Sequence, residues 1–149
     1  MHKIIEKSVE IKASVEIVWQ AITHYRHFNQ WFRVRFTAPF VEGQLSAGYL
    51  SYPGYEQLKI ELIVKEIKPL ERFSFYWHPY ALNPEMDYSK EPYTLVEFSL
   101  EQQPASVRLS FKESGFEKLP RERQEEALTM NEQGWAEQIN NIANYLGPL

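Results

Sequence analysis

A long amphipathic segment at the end of the chain places the strongest limit on how this protein can fold. The segment runs from Pro120 to Leu146, and its large apolar residues recur at helical spacing: Leu128, Trp135, Ile139, Ile142 and Leu146. Pro120 suits the first turn of a helix, and the Gly147-Pro148 pair suits its end. A helix of this length predicts a partner surface long enough to cover its apolar stripe, such as a large sheet.

Most of the chain before this helix alternates between apolar and polar residues. Strand-like alternation occurs in the segments KIIEKSVEIK, VRFTAPF, SAGYLSY, LKIELIVKEI, RFSFYWH, TLVEFSLE and ASVRLSFKE. Two short helices interrupt this pattern, the first with an N-cap at Ser14 and the second in YRHFNQWF, with a bend near His24. The pattern does not assign which face of the segment SAGYLSY is buried, so Tyr49 could line a pocket. The order predicts an α+β fold with about six to seven antiparallel strands.

Composition narrows the classes of function. A chain of 149 residues predicts a single domain spanning residues 1–149. The absence of cysteine excludes disulfides, thiolate nucleophiles and cysteine-held metal clusters. The net charge of −4 without a basic run argues against nucleic-acid binding. Because no apolar run is long enough for a membrane span or a signal peptide, we expect a soluble, cytoplasmic protein. The chain has neither a cysteine cluster nor a glycine-rich dinucleotide fingerprint, so we expect no cofactor.

Several segments resemble, in order, the signatures of the Hsp90 ATPase activator homologue family of the START and Bet v 1-like superfamily: VEIKASVEIVWQAIT, FNQWF, VEFSLE, ESGFEKLP and NEQGWAEQINNIANYL. The resemblance implies a helix-grip fold, in which a curved sheet wraps around the long terminal helix and leaves a hydrophobic cavity for an apolar or amphiphilic ligand. The resemblance also implies a chaperone as an alternative binding partner. The eukaryotic activators carry a separate amino-terminal domain for the chaperone, whereas this chain begins at the first strand, so we expect a small-molecule partner.

Polar residues on apolar faces are the first candidates for a binding site. Lys7 and Glu113 interrupt apolar strand faces, and Asn131 and Gln138 lie beside Trp135 on the helix. A cavity that binds a small molecule needs a few polar groups of this kind to orient its ligand. Alternatively, Lys7 and Glu113 bond to each other as a buried pair, or their long side chains reach water.

Aromatic residues are the candidates for the cavity walls: Trp19, Phe75, Trp77, Phe98, Phe111 and Trp135. The same residues suit a packed core equally well. Gly134 is a helix-interior glycine, which costs about 1 kcal/mol relative to alanine. We expect close packing against the sheet to explain Gly134, with space for a ligand as the alternative.

The segment HPYALNPEMDYSKEP, from His78 to Pro92, has no regular period and three prolines. We predict a semi-rigid lid over the cavity, with apolar contacts from Tyr80, Met86 and Tyr88. The alternative is a surface loop packed on its own aromatic residues.

Candidates for catalysis are weaker. His78 is the best general acid or base, with Glu113 and Lys7 after it, although a loop-anchoring hydrogen bond would also explain His78. His24 and His27 are three residues apart but lack a third ligand, so we expect no metal site. The sequence therefore favours a small-molecule binding protein, with an enzyme acting on an apolar substrate and a co-chaperone-like interaction module as alternatives.

Overall fold

The computed structural model describes residues 3–79 and 85–147. Its helices are α1 (Val15–Thr23), α2 (Tyr25–Phe32) and α3 (Arg121–Leu146), with one 3-10 turn at Phe116–Lys118. Its strands are β1 (Ile5–Ile11), β2 (Val34–Phe36), β3 (Leu45–Leu50), β4 (Lys59–Lys68), β5 (Arg72–Trp77), β6 (Thr94–Gln102) and β7 (Val107–Ser114). The strands form one antiparallel sheet in the order β1-β7-β6-β5-β4-β3-β2. The predicted α+β helix-grip fold is confirmed.

The two short helices follow the predicted local signals. The Ser14 hydroxyl accepts a hydrogen bond from the Ile17 amide and caps α1. His24 has an extended backbone, ends α1 and caps α2, which places the bend at the predicted residue. The Asn29 side chain then bonds both the amide and the carbonyl of Phe36 at 2.9 Å, and this fixes α2 to β2.

The inner face of the sheet is filled with aromatic rings. The Trp135 ring of α3 lies 4.0 Å from that of Phe111, 5.6 Å from that of Trp77 and 5.9 Å from that of Phe98. Phe73 and Phe75 are also fully buried on this face. The helix and the sheet are therefore in direct contact over the inner part of the grip, and the packed-core alternative holds there.

Strand β2 differs from the expected pattern, and the structure assigns the faces of β3, which the sequence left open. Strand β2 is shorter than the segment VRFTAPF: it ends at Phe36, three residues before Pro39, which could not donate a ladder hydrogen bond. In β3, Gly48 and Leu50 are buried while Tyr49 is exposed, and Tyr49 is not among the residues that line the pocket described below. Among the described residues no helix is both long and apolar enough to cross a membrane.

We predict that Gly48→Ala destabilises the protein by about 1–3 kcal/mol, because β2 and β3 approach closely at this residue. A Cβ at Gly48 would lie 2.8 Å from the Arg35 carbonyl oxygen and 2.9 Å from Cδ1 of Phe36. The measurement is the free energy of unfolding in denaturant. The matched substitution Ser46→Ala, in the same strand, should change that free energy by less than about 0.5 kcal/mol. Equal stability of the two variants would contradict the close approach.

Candidate functional site

An open cleft of about 730 Å³ lies beside the aromatic core. It is bounded by the middle of α3, by β3 and β4 with their connecting loop, and by residues 86–89. Its volume is typical of pockets that hold small organic ligands. The apolar part of its lining includes Phe32, Leu50, Tyr52, Tyr55, Ile60 and Trp77. The grip is thus packed at its inner part and open on this side.

Gly134 lies in the wall that α3 contributes to the cleft. A Cβ built on Gly134 would meet no atom within 4 Å. The expected close packing against the sheet is therefore wrong, because the neighbouring Trp135 makes that contact and Gly134 faces open space. The alternative reading, in which this glycine leaves room in a cavity, agrees with the structure.

Glu113 is the centre of a buried hydrogen-bond network behind the cleft. Its carboxylate accepts hydrogen bonds from the Trp77 indole at 2.8 Å and from the Thr94 hydroxyl at 2.6 Å. From α3 it accepts bonds from the Trp135 indole at 2.8 Å and from the Asn131 amide at 3.0 Å. One carboxylate therefore joins three strands and the long helix.

The network contains no cation, so burial dominates the electrostatics of Glu113. The side chain is fully buried, and this burial raises the pKa of the Glu113 carboxyl, although the four hydrogen-bond donors oppose the rise. The Thr94 hydroxyl can also accept a hydrogen bond, so a protonated Glu113 can donate to it. The network can thus hold the group in either protonation state.

The alternative in which Lys7 and Glu113 form a buried pair is wrong. In the register of β1 and β7, Glu113 lies opposite Ile5 and Lys7 lies opposite Phe111. Lys7 instead reaches α3, where its ammonium group lies 3.1 Å from Glu132. This pair is partly exposed, in agreement with the alternative that Lys7 reaches water.

The predicted ligand-binding residues divide into three groups. Three of them, Trp77, Asn131 and Gln138, line the cleft. Trp135 lines a smaller cavity of about 100 Å³, which shares its other lining residues with the cleft. The others lie outside the lining of both cavities: Lys7, Trp19, Phe75, Phe98, Phe111 and Glu113.

A buried ion pair that the sequence analysis missed anchors the loop after β5. The Arg123 guanidinium at the start of α3 donates to both carboxylate oxygens of Glu91 at 2.9–3.1 Å and to the Pro79 carbonyl at 2.9 Å. It also lies 4.7 Å from the centre of the Tyr88 ring. No local pattern reveals this pair, because its partners are far apart in sequence.

His78 contributes to the same anchor. One ring nitrogen lies 3.1 Å from the Glu91 carbonyl oxygen, and the imidazole stacks on Tyr93. The loop-anchoring hydrogen bond expected as an alternative role is therefore present. His78 also lines the cleft, while Glu113 is buried behind it and Lys7 lies elsewhere, so these catalytic candidates do not form one constellation.

Two of the predicted lid residues, Met86 and Tyr88, line the cleft. The third, Tyr80, lies outside the described residues. Within residues 3–79 and 85–147, no cluster of three or more histidine and acidic side chains could hold a metal ion. His24 and His27 instead make an edge-to-face ring contact, and His27 bonds the Tyr145 hydroxyl.

Several cleft residues were absent from the predicted site, among them Tyr52, Tyr55, Met130 and Glu137. The two tyrosines lie in an irregular loop, where no period assigns a direction. The helical residues Met130, Gly134, Glu137 and Gln138 do follow one helix face at steps of three and four. This spacing, next to a glycine in the middle of the helix, was the sequence signal that could have identified these helical residues as part of the cleft.

The model of the family described as Activator of Hsp90 ATPase homolog 1-like protein matches residues 12–147. No curated protein matches the chain. Among solved structures, DynU16 of the dynemicin biosynthetic locus is similar at 21% identity and a TM-score of 0.74, over 98% of this chain and 48% of that one. This chain thus spans about half the length of DynU16.

Two further solved structures match over nearly their whole length. A protein from Arthrobacter aurescens has 19% identity and a TM-score of 0.78, over 97% of this chain and 86% of that chain. The Aha1 dimer from Colwellia psychrerythraea has 19% identity and a TM-score of 0.71, over 96% of this chain and 95% of that chain. At these identities the likeness supports the fold alone.

We predict that the Glu113 network makes stability depend on pH. Because the folded pKa of Glu113 is raised, the folded protein holds this proton more tightly than the unfolded chain does. The resulting stabilisation is fully present below the pKa of the unfolded chain, which is about 4.3. It is lost as the pH rises through the raised pKa of Glu113 in the folded protein, and the free energy of unfolding then falls by at most about 1.4 kcal/mol per pH unit. The measurement is unfolding in denaturant at a series of pH values, for wild type and Glu113→Gln.

The stability advantage of wild type over Glu113→Gln should be largest at acid pH and shrink as pH rises. Glu117→Gln, at an exposed residue, is the matched control. The indole N–H resonances of Trp77 and Trp135 should move together in the same titration, while that of Trp31, which donates to the Ala21 carbonyl, should not. A pH-independent difference between wild type and Glu113→Gln would contradict the assigned direction.

Proposed function

Because the chain belongs to the family of Activator of Hsp90 ATPase homolog 1-like proteins, we propose that its open cleft binds an apolar or amphiphilic small molecule. The observation that carries the proposal is a cleft of about 730 Å³ whose helical wall contains Gly134. A Cβ atom at Gly134 would have no other atom within 4 Å. A helix-interior glycine is unfavourable by about 1 kcal/mol relative to alanine, and retained space for a ligand explains that cost.

The walls of the cleft favour an apolar guest. Phe32, Ile60 and Trp77 form part of its inner surface, and large exposed apolar side chains, Tyr55 and Met130, stand at the cleft. Covering such surface releases about 25 cal/mol for each Å² removed from water. A ligand with a sizeable apolar body would therefore gain most of its affinity here.

Two polar side chains of the cleft are already held in place. The Asn131 amide donates to Glu113, and the Gln138 amide donates to the Phe32 carbonyl at 3.2 Å. Side chains that are ordered before binding lose little conformational entropy when a ligand arrives. The buried Glu113 network thus supports the proposal by fixing part of the cleft wall, without itself contacting the ligand.

We predict that substitutions at Gly134 separate stability from binding. Gly134→Ala should raise the free energy of unfolding by about 0.5–1 kcal/mol and weaken binding by about two- to fivefold, because its methyl group enters the space that the glycine leaves for the ligand. Gly134→Trp should fill the cleft and weaken binding by about tenfold or more. The measurements are thermal shift and native mass spectrometry with a panel of lipids, sterols and aromatic acids, followed by calorimetry on the best ligand.

A ligand that binds wild type should raise its melting temperature by mass action, and this shift should disappear in Gly134→Trp. Retention of full affinity in Gly134→Trp would remove the cleft as the binding site. The complete absence of adducts and shifts across the panel for wild type would contradict the proposed function.

The loop beside the cleft is proposed as a lid whose base is fixed. Tyr88 lies against Arg123, and Glu91 is held by the buried ion pair, whereas Met86 is exposed at the cleft. We predict that a ligand slows hydrogen exchange at residues 86–89 by covering them. Residues 107–111 of β7 provide the internal control, because their exchange should not change. Unchanged exchange at residues 86–89 with a saturating ligand would eliminate the lid.

A further inference from the structure

Negatively charged side chains outnumber positively charged ones in the lining of the cleft. Three carboxylates, Glu61, Asp87 and Glu137, face one ammonium group, that of Lys59. Lys59 lies 3.9 Å from Glu61, so these two charges largely balance. Asp87 and Glu137 remain, one on the loop and one on α3, on opposite elements around the cleft.

Asp87 lies near Ser89 and His78, and Glu137 lies near Tyr52. Hydrogen bonds from the Ser89 hydroxyl and amide lower the pKa of Asp87, and the nearby His78 acts in the same direction. Burial raises the pKa of Tyr52, and the adjacent Glu137 raises it further, while Arg33 opposes this. Arg33 lies 5.2 Å from the centre of the Tyr52 ring but does not line the cleft. Glu137 has no cation within ion-pair distance among the described residues.

The aromatic lining is also suited to a positive charge. Two rings of the cleft, Tyr52 and Tyr88, already have a guanidinium group over one face, from Arg33 and Arg123, so a cationic ligand needs another ring. Tyr55 lines the same cleft and is half exposed. Cations are attracted to aromatic faces, most strongly where little water competes. The Asp87 and Glu137 carboxylates and the Tyr55 ring thus act in the same direction on a charged ligand.

We propose that the cleft selects amphiphiles with an ammonium head group over those with a carboxylate. The apolar body would lie against Phe32, Ile60 and Trp77, and the head group would lie among Asp87, Glu137 and Tyr55. This inference rests on the proposed function, since it names the class of ligand for the same cleft. An anionic head group would meet two carboxylates there, and neither has a cation within ion-pair distance among the described residues.

The test uses three probes with the same chain, decylammonium, decanol and decanoate, titrated calorimetrically below their micelle concentrations at neutral pH. Decylammonium should bind most tightly and decanoate most weakly. Glu137→Gln and Asp87→Asn should each weaken decylammonium by about two- to fivefold and change decanol binding by less than that. Added salt should reduce the preference, because these charges are solvent-accessible. Glu117→Gln, outside the cleft, is the matched control.

The outcomes separate the charge selectivity of the cleft from its proposed function as a small-molecule binding site. If decanoate binds as tightly as decylammonium, or if Glu137→Gln and Asp87→Asn leave decylammonium unaffected, the charge selectivity is overturned, while binding of decanol still supports an apolar site. If none of the three probes binds, the selectivity and the proposed function both fail.

Discussion

The buried carboxylate of Glu113 is the interaction on which the rest of the grip depends. It sits on β7 and accepts hydrogen bonds from Trp77 at the end of β5, Thr94 at the start of β6, and Asn131 and Trp135 on α3. Removing such a group would leave buried donors unsatisfied, and each of these costs about 1–3 kcal/mol. The network therefore fixes where α3 lies on the sheet, and it orients two indoles without filling the neighbouring space.

That fixed position divides the space under the helix into two parts. On the side of Trp135, rings from the sheet and helix pack at centroid distances of 4.0–6.0 Å and leave only a small cavity. On the side of Gly134, one residue earlier, the same helix borders the open cleft. Successive residues on a helix point about 100° apart, so one helix can close the core and line a cleft at the same level.

The sequence predicted the elements well because each has a local signal. The period of α3, the cap at Ser14 and the alternation in β5 to β7 depend on neighbouring residues alone. Partners of charged residues were not predictable, since Lys7 meets Glu132 rather than Glu113 only because of strand register and helix placement. The Arg123–Glu91 anchor and the irregular loop with Tyr52 and Tyr55 likewise require tertiary structure.

The most direct test of this account is a map of backbone amide chemical shifts in the presence of a saturating amphiphile. Binding in the open part of the grip should shift the amides of Gly134, Leu50 and Ile60, which belong to the cleft walls. The amides of Leu109 and Ala21, in the packed part, should stay in place. Shifts centred on the packed part or on the outer face of the sheet would contradict the division into a filled core and an open cleft that is proposed to bind the ligand.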